Sequence, residues 1–174
     1  MSRIYIIGGP GSGKTTLAKR ISQQLSIPHY EMDLIGWEKG AGAQRPLEAR
    51  LREVHEIATQ TSWVTEGWFK PWTDELLDSA EQIVWLDLPW HIARWRILKR
   101  HFLASLAGTN KHRGLLKLYH FLGYAKEYYA GALSDQDSSL IITKELQPYL
   151  HKTVHCQRPG EIEAFFSGLT ASRP

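Results

Sequence analysis

The chain opens with a short apolar run, Arg3-Ile4-Tyr5-Ile6-Ile7, bounded by glycines, which predicts a buried strand. Lys14 to Leu25 then carries Leu17, Ala18, Ile21 and Leu25 at helical spacing, and Pro28 closes that unit. His29 to Met32 reads as a second strand. Pro46 to Thr59 reads as a helix, with Leu47, Leu51, Val54, Ile57 and Ala58 on one face and Pro46 in the first turn. Trp63 to Thr65 is a third strand. Gln82 to Leu86 is a fourth, ended by Asp87 and Pro89. A basic helix is expected from Trp90 to about Leu106, and a second from Leu115 to Ala130, with turn formers Gly108 and Asn110 between them. Residues 134–139 form a polar loop. A helix is expected within Leu140 to Leu150, a fifth strand at Lys152 to Cys156 and a closing helix at Glu161 to Phe166. Strands alternating with helices predict parallel βαβ units: an α/β fold with three layers, α/β/α, and a five-stranded parallel sheet in the middle. Residues 1–174 make one domain, and segments 34–60 and 101–139 are expected outside the sheet as covers.

Composition narrows the class. Hydrophobic residues are 43% and charged residues 22%, enough apolar material for one core and too much for a disordered chain. No apolar stretch reaches the roughly 18 residues a membrane span needs, and the N-terminus does not read as a signal peptide. Cys156 is the one cysteine, so no internal disulfide is available. The expectation is a reduced, cytoplasmic protein. The net charge is +3, but its distribution is uneven. Residues 1–88 hold 9 basic and 12 acidic side chains, while residues 89–129 hold 8 basic ones and a single acid, Glu127. A basic block in a chain that is acidic elsewhere points to an anionic partner, or else to a solvated helix face.

The sharpest signal is Gly8-Gly9-Pro10-Gly11-Ser12-Gly13-Lys14-Thr15, followed by Thr16. It fills every fixed position of G-x-x-x-x-G-K-[ST], with a strand before it and an amphipathic helix after it. Glycines let the loop curl so that successive backbone N–H groups face an anion, and the helix N-terminus adds unpaired donors. Lys14 is then expected on the β- and γ-phosphates and Thr15 on Mg²⁺. A GTPase is rejected. Asn110-Lys111-His112-Arg113 lacks the carboxylate that would accept the guanine N1 and N2 protons, and Asp33-Leu34-Ile35-Gly36 comes too early. The length also excludes the extra domains of a large motor or AAA ring.

Two carboxylates stand where ligands bind in this architecture, at the carboxyl edge of a parallel sheet. Glu66, before Gly67, is expected to hold a Mg²⁺-bound water or orient the acceptor. Asp33, after the second strand, is expected to act as general base or acceptor contact. Helix capping or plain surface charge is the alternative for both. Arg96 and Arg100, four apart, share one helix face and suit phosphate pairing or stacking on a base.

Three stretches resemble the adenylate kinase-like (nucleoside monophosphate kinase) P-loop kinases. Trp63 to Lys70 looks like their acid-glycine-aromatic motif, Leu86-Asp87-Leu88-Pro89 like the end of their fourth strand, and Arg96 with Arg100 like the arginines entering their lid. With His29-Tyr30-Glu31-Met32-Asp33 and Trp37, the nearest resemblance is to the small ATPases labelled DNA topology modulation proteins. It covers most of residues 1–100. The resemblance implies a P-loop NTPase fold with a helical lid at 101–139 and an acceptor-side cover at 34–60. It also implies Mg-ATP as donor, Arg96 on adenine, Arg100 on phosphates, and the loop carrying Arg158 against the adenine. Departures are Glu66 for the usual Asp, Lys70 for an Arg, no zinc cysteines, and only Lys111, Arg113 and Lys117 as further lid cations. Arg45 and Arg50 are read either as acceptor-phosphate contacts or as solvated charges. Phe102, Tyr119, Phe121, Tyr124, Tyr128 and Tyr129 are read as an acceptor wall or as the core of a helical hairpin.

Two functions follow as expectations. The first is a small-molecule phosphotransferase moving the γ-phosphoryl of Mg-ATP to a nucleotide, nucleoside or other small hydroxylated acceptor, with no membrane partner, as a monomer or homodimer. The second is a nucleic-acid binder that uses residues 89–129 with ATP as a switch.

Overall fold

The computed structural model describes residues 2–40, 42–108, 114–131 and 139–171. Five strands, β1 (Ser2–Gly8), β2 (His29–Glu31), β3 (Ser62–Glu66), β4 (Gln82–Leu86) and β5 (Thr153–Cys156), form one sheet in the order β2-β3-β1-β4-β5. Every neighbouring pair is parallel. The chain lays β2 and β3 on one side of β1, then β4 and β5 on the other, so the direction of winding reverses at β1. Ligands bind outside the carboxyl ends of the strands at such a reversal. The α/β expectation and the five strands hold.

Strand β1 is central because its sequence is buried on both faces. Ile4 and Ile6 pack with Leu17, Ile21, Val64, Val84 and Leu86 on one side. Tyr5 and Ile7 pack with Met32, Val54, Trp63, Leu76 and Ile83 on the other. Period-2 alternation therefore feeds two cores rather than one core and solvent. Eight α-helices are described: α1 (Lys14–Leu25), α2 (Met32–Gly36), α3 (Leu47–Ala58), α4 (Asp74–Ser79), α5 (Trp90–Leu106), α6 (Leu115–Ala130), α7 (Ser139–Glu145) and α8 (Pro159–Ala171).

Several expectations shift. The second strand ends at Glu31, and Met32 starts α2, so Asp33 sits in a short helix rather than at the strand end. In α3, Leu47 and Leu51 are exposed, and the buried face is Arg50, Val54, Ile57 and Ala58. Val54, Ile57 and Ala58 are buried as expected, while at the N-terminal end Arg50 takes the buried place and lays its guanidinium over Trp72, with Cζ 5.2 Å from the ring centroid. The helix expected within 140–150 stops at Glu145 and gives way to a 3₁₀ turn, Gln147–Lys152. Pro148 cannot donate to an ongoing helix. The closing helix begins earlier and runs longer than Glu161 to Phe166. Glu161 folds back to accept from the backbone N–H groups of Gln157 and Arg158, as the third residue of a capping box does. Asn110, Lys111, His112 and Arg113, and the loop expected at 134–138, lie outside the described residues.

The two halves of the sheet edge are tied together by Tyr5. Its hydroxyl, fully buried, donates to the Gly67 carbonyl at 2.9 Å and so fixes the turn that follows Glu66. Tyr5→Phe removes that bond and leaves a buried carbonyl unpaired. The expected cost is about 1 kcal/mol, read as a lower urea midpoint at unchanged m-value.

Candidate functional site

Strand β1 delivers the phosphate loop to the centre of the carboxyl edge. Gly8, Gly11 and Gly13 all have positive φ (147°, 77° and 100°), which the loop needs in order to curl. Close approach sets a second requirement. A Cβ at Gly9 would lie 2.4 Å from the Tyr128 ring and 2.8 Å from the Tyr129 hydroxyl. One at Gly11 would meet the Ala93 carbonyl at 2.7 Å and Ile97 at 2.8 Å. Helices α5 and α6 thus press directly on the loop. Tyr129 donates to the Pro10 carbonyl at 3.1 Å, and Arg96 Nη1 donates to the Ser12 carbonyl at 2.6 Å.

The loop opens onto a cavity of about 1660 Å³. That exceeds the ~300–1000 Å³ of a common small-molecule site. Its walls include Lys14, Thr15, Thr16, Asp33, Glu66, Arg96 and Arg100, drawn from α1, α2, β3 and α5. Gly8, Pro10, Gly11, Ser12 and Gly13 line it as well. Lys14 Nζ donates back to the Gly9 carbonyl at 3.2 Å, and Thr15 Oγ1 donates to Glu66 Oε1 at 2.6 Å. Glu66 is almost fully buried.

These charges sit at a cost. Burial raises the Glu66 carboxyl above its ordinary range, against the opposing pull of the Lys14 ammonium and the Thr15 hydrogen bond; the Asp33 and Glu31 charges raise it further. Asp33 is exposed to the cavity, yet the walls withdraw enough water to raise its carboxyl too, with Lys14 opposing. Burial lowers Lys14, and Glu66 and Asp33 only partly offset this. A carboxylate–hydroxyl pair beside a desolvated ammonium suits Mg²⁺, which usually takes one or two carboxylates plus phosphate oxygens and water. Thr15 and Glu66 are the side chains here whose oxygens fit such an ion.

Not every expected residue joins the cavity. Arg158 lies on a separate cleft of about 440 Å³ with Asp87, Trp90, Tyr129 and Gln157, although its neighbours Pro159 and Gly160 do line the main cavity. Asp87 does not cap α5; its Oδ2 pairs with His155 Nε2 at 3.0 Å. Arg96 is held on the loop backbone as well as facing the cavity. Arg45 pairs with Glu53, and Arg50 packs on Trp72; neither lines the cavity. The aromatic set divides. Phe121, Tyr124 and Tyr128 line the cavity, while Phe102 and Tyr119 are exposed away from it. Lys99, Lys117, Trp68 and Phe69 also line it. The seating of Tyr128 and Tyr129 on the phosphate loop has no signature in the sequence, because a glycine that must yield to a ring reads the same as one that must curl.

The comparisons with known proteins agree with this geometry. Residues 4–87, from β1 to just beyond β4, match the model of the ATPase family associated with various cellular activities (AAA). A gluconokinase from Sinorhizobium meliloti 1021 superposes with a TM-score of 0.55 at 17% identity, over 98% of this chain and 94% of that one. The chain has the P-loop NTPase fold. An uncharacterized protein from Eubacterium ventriosum ATCC 27560 has a TM-score of 0.54 at 15% identity, covering 99% of this chain and 100% of that one. A shikimate kinase from Enterococcus faecalis (strain ATCC 700802 / V583) is 29% identical over 115 residues, 58% of this chain. The matched region spans 65% of that relative's length, just under two thirds.

Two outcomes test this P-loop site. Gly9→Ala should lose about 1–3 kcal/mol of stability from overpacking and weaken Mg-ATP binding. Adding Tyr128→Ala should recover much of the affinity, a coupling read from a double-mutant cycle. Glu66 supplies the pH dependence. Its folded-state carboxyl lies above its unfolded value of 4.5, so its stabilising contribution is complete below that value and is lost as pH rises through the raised one. Glu66→Gln should therefore stabilise the ligand-free protein relative to wild type near pH 7. The advantage should shrink as pH falls towards 4.5, as followed by melting temperature.

Proposed function

We propose that the protein is a Mg-ATP-dependent phosphotransferase acting on a small hydroxylated molecule. The observation that carries this reading is the convergence of Lys14, Thr15, Glu66, Asp33 and Arg100 on one cavity. The names of the shikimate kinase and gluconokinase relatives support it. The loop amides and Lys14 bind the β- and γ-phosphates, and phosphate charge offsets the desolvation that depresses Lys14. Thr15 and Glu66 would hold Mg²⁺, which would supply neutralisation of phosphate charge. Asp33, its proton affinity raised by burial, accepts the proton of the acceptor hydroxyl. The acceptor oxygen forms the new P–O bond as the bond to the leaving ADP oxygen breaks. Arg100 and Arg96 stabilise the equatorial charge from the α5 side.

The described residues of segments 101–139 and 34–60 that line the cavity, among them Lys117, Phe121 and Tyr124 of the first and Gly40 of the second, act as covers that exclude water, so that ATP is transferred rather than hydrolysed. The cations of the basic block that line the cavity, Arg96, Lys99, Arg100 and Lys117, favour this use of the block over nucleic-acid binding. A gel shift at low salt that weakens steeply with added salt would favour the nucleic-acid reading instead.

Purified protein with Mg-ATP and a panel of hydroxylated acceptors should release ADP faster with at least one acceptor than with none. Lys14→Ala should reduce that rate by roughly 100-fold or more. Asp33→Asn should reduce kcat by about 10²–10⁴-fold while changing the Kd for Mg-ATP little. Equal ADP release with and without every acceptor would count against phosphotransfer.

A further inference from the structure

We infer that the cleft beside Arg158 is a second ligand site, one that takes a small zwitterion: an α-amino acid with a flat or apolar side chain. The inference does not depend on the phosphotransferase reading. The cleft, of about 440 Å³, lies where the start of α5, the end of α6 and the loop after β5 meet. That volume suits one small molecule. No residue lines both this cleft and the main cavity.

The walls carry one charge of each sign. Arg158 is exposed, and its guanidinium makes no hydrogen bond or ion pair among the described residues. Glu161 feels that charge, yet its Oε2 is already taken by the backbone N–H groups of Gln157 and Arg158. Asp87 is held by its bond to His155 Nε2, and that imidazole lies flat on Trp85, with ring centroids 3.9 Å apart. The bond uses Oδ2 and leaves Oδ1 for another donor. Alongside these charges, Trp90 and Tyr129 bring two rings together, with centroids 5.6 Å apart.

A ligand with one charge is attracted by one of these walls and repelled by the other. A molecule that carries both charges suits both. Its carboxylate accepts from the Arg158 fork, and its ammonium donates to Asp87 with the Trp90 face close by. A flat or apolar side chain then covers Trp90 and Tyr129.

Tyr129 gives the occupant a consequence. The side chain that lines the cleft also donates to the Pro10 carbonyl, and Tyr128, edge-on to it at 5.3 Å, lies against Gly9. A ligand in contact with Tyr129 in this position favours the position, and with it the loop conformation that the tyrosine holds. Filling the cleft therefore tightens Mg-ATP binding.

Calorimetry on the whole chain should compare L-phenylalanine and L-leucine with phenethylamine and phenylpropionate, each of which keeps one of the two charges. At least one amino acid should bind at millimolar concentration, about tenfold tighter than either single-charge analogue. Arg158→Gln and Asp87→Asn should each weaken that binding about tenfold. Saturation with the amino acid should lower the Kd for Mg-ATP by about fivefold. Tyr129→Phe should abolish that shift and leave amino-acid binding in place. Binding of neither amino acid, equal binding of a single-charge analogue, or unchanged affinity in both cleft variants would overturn the site. Displacement of Mg-ATP by the amino acid would put it in the main cavity and overturn the site as well. A filled cleft with the Kd for Mg-ATP unchanged would overturn the link through Tyr129. Each of these results leaves phosphotransfer standing.

Discussion

The site depends on one electrostatic arrangement: an ammonium, Lys14, and two carboxylates, Glu66 and Asp33, held together where water is scarce. Burial pushes all three towards their neutral forms, and their mutual attraction recovers only part of that cost. The ligand-free protein therefore carries unfavourable electrostatics that phosphate oxygens and Mg²⁺ are suited to relieve. Such a site gains differential affinity for a charged ligand without new contacts, because part of the desolvation has already occurred on folding.

The rest of the fold maintains that arrangement. Strand β1, buried on both faces, cannot shift register without moving both cores, so it presents the loop at a fixed height. Register pairs Glu66 with Ile6 on one side and Glu31 on the other, which sets the carboxylate beside the loop. Tyr5 then anchors the turn after Glu66. On the opposite wall α5 and α6 lie against the loop with almost no gap, so any displacement of these helices is felt directly at Gly9, Gly11 and Pro10.

Pairing also sorts the cations around the cavity. Arg45 pairs with Glu53 and Lys70 with Glu145, while cations from the basic helices face the cavity. Cations from α5 and α6 line the same cavity as Asp33 and Glu66, with Lys14 beside the two carboxylates.

Short-range pattern was enough for the strand–loop–helix of the phosphate-loop motif, the five parallel strands, and the placing of Glu66 at a sheet edge. Each of these rests on short-range features: a buried apolar run, glycines at fixed offsets, a carboxylate just after a strand. Tertiary structure alone decided which charges remain available. Arg50 reads equally as a solvated charge or a ligand contact until α3 packs it on Trp72, and the pairing of Lys70 with Glu145 exists only once α7 is in place. It also decided that Arg158 stands on a separate cleft, that Asp33 rides on a helix, and that Tyr128 and Tyr129 seat on the phosphate loop. These outcomes depend on contacts between residues dozens of positions apart, and neither periodicity nor local propensity carries information about them.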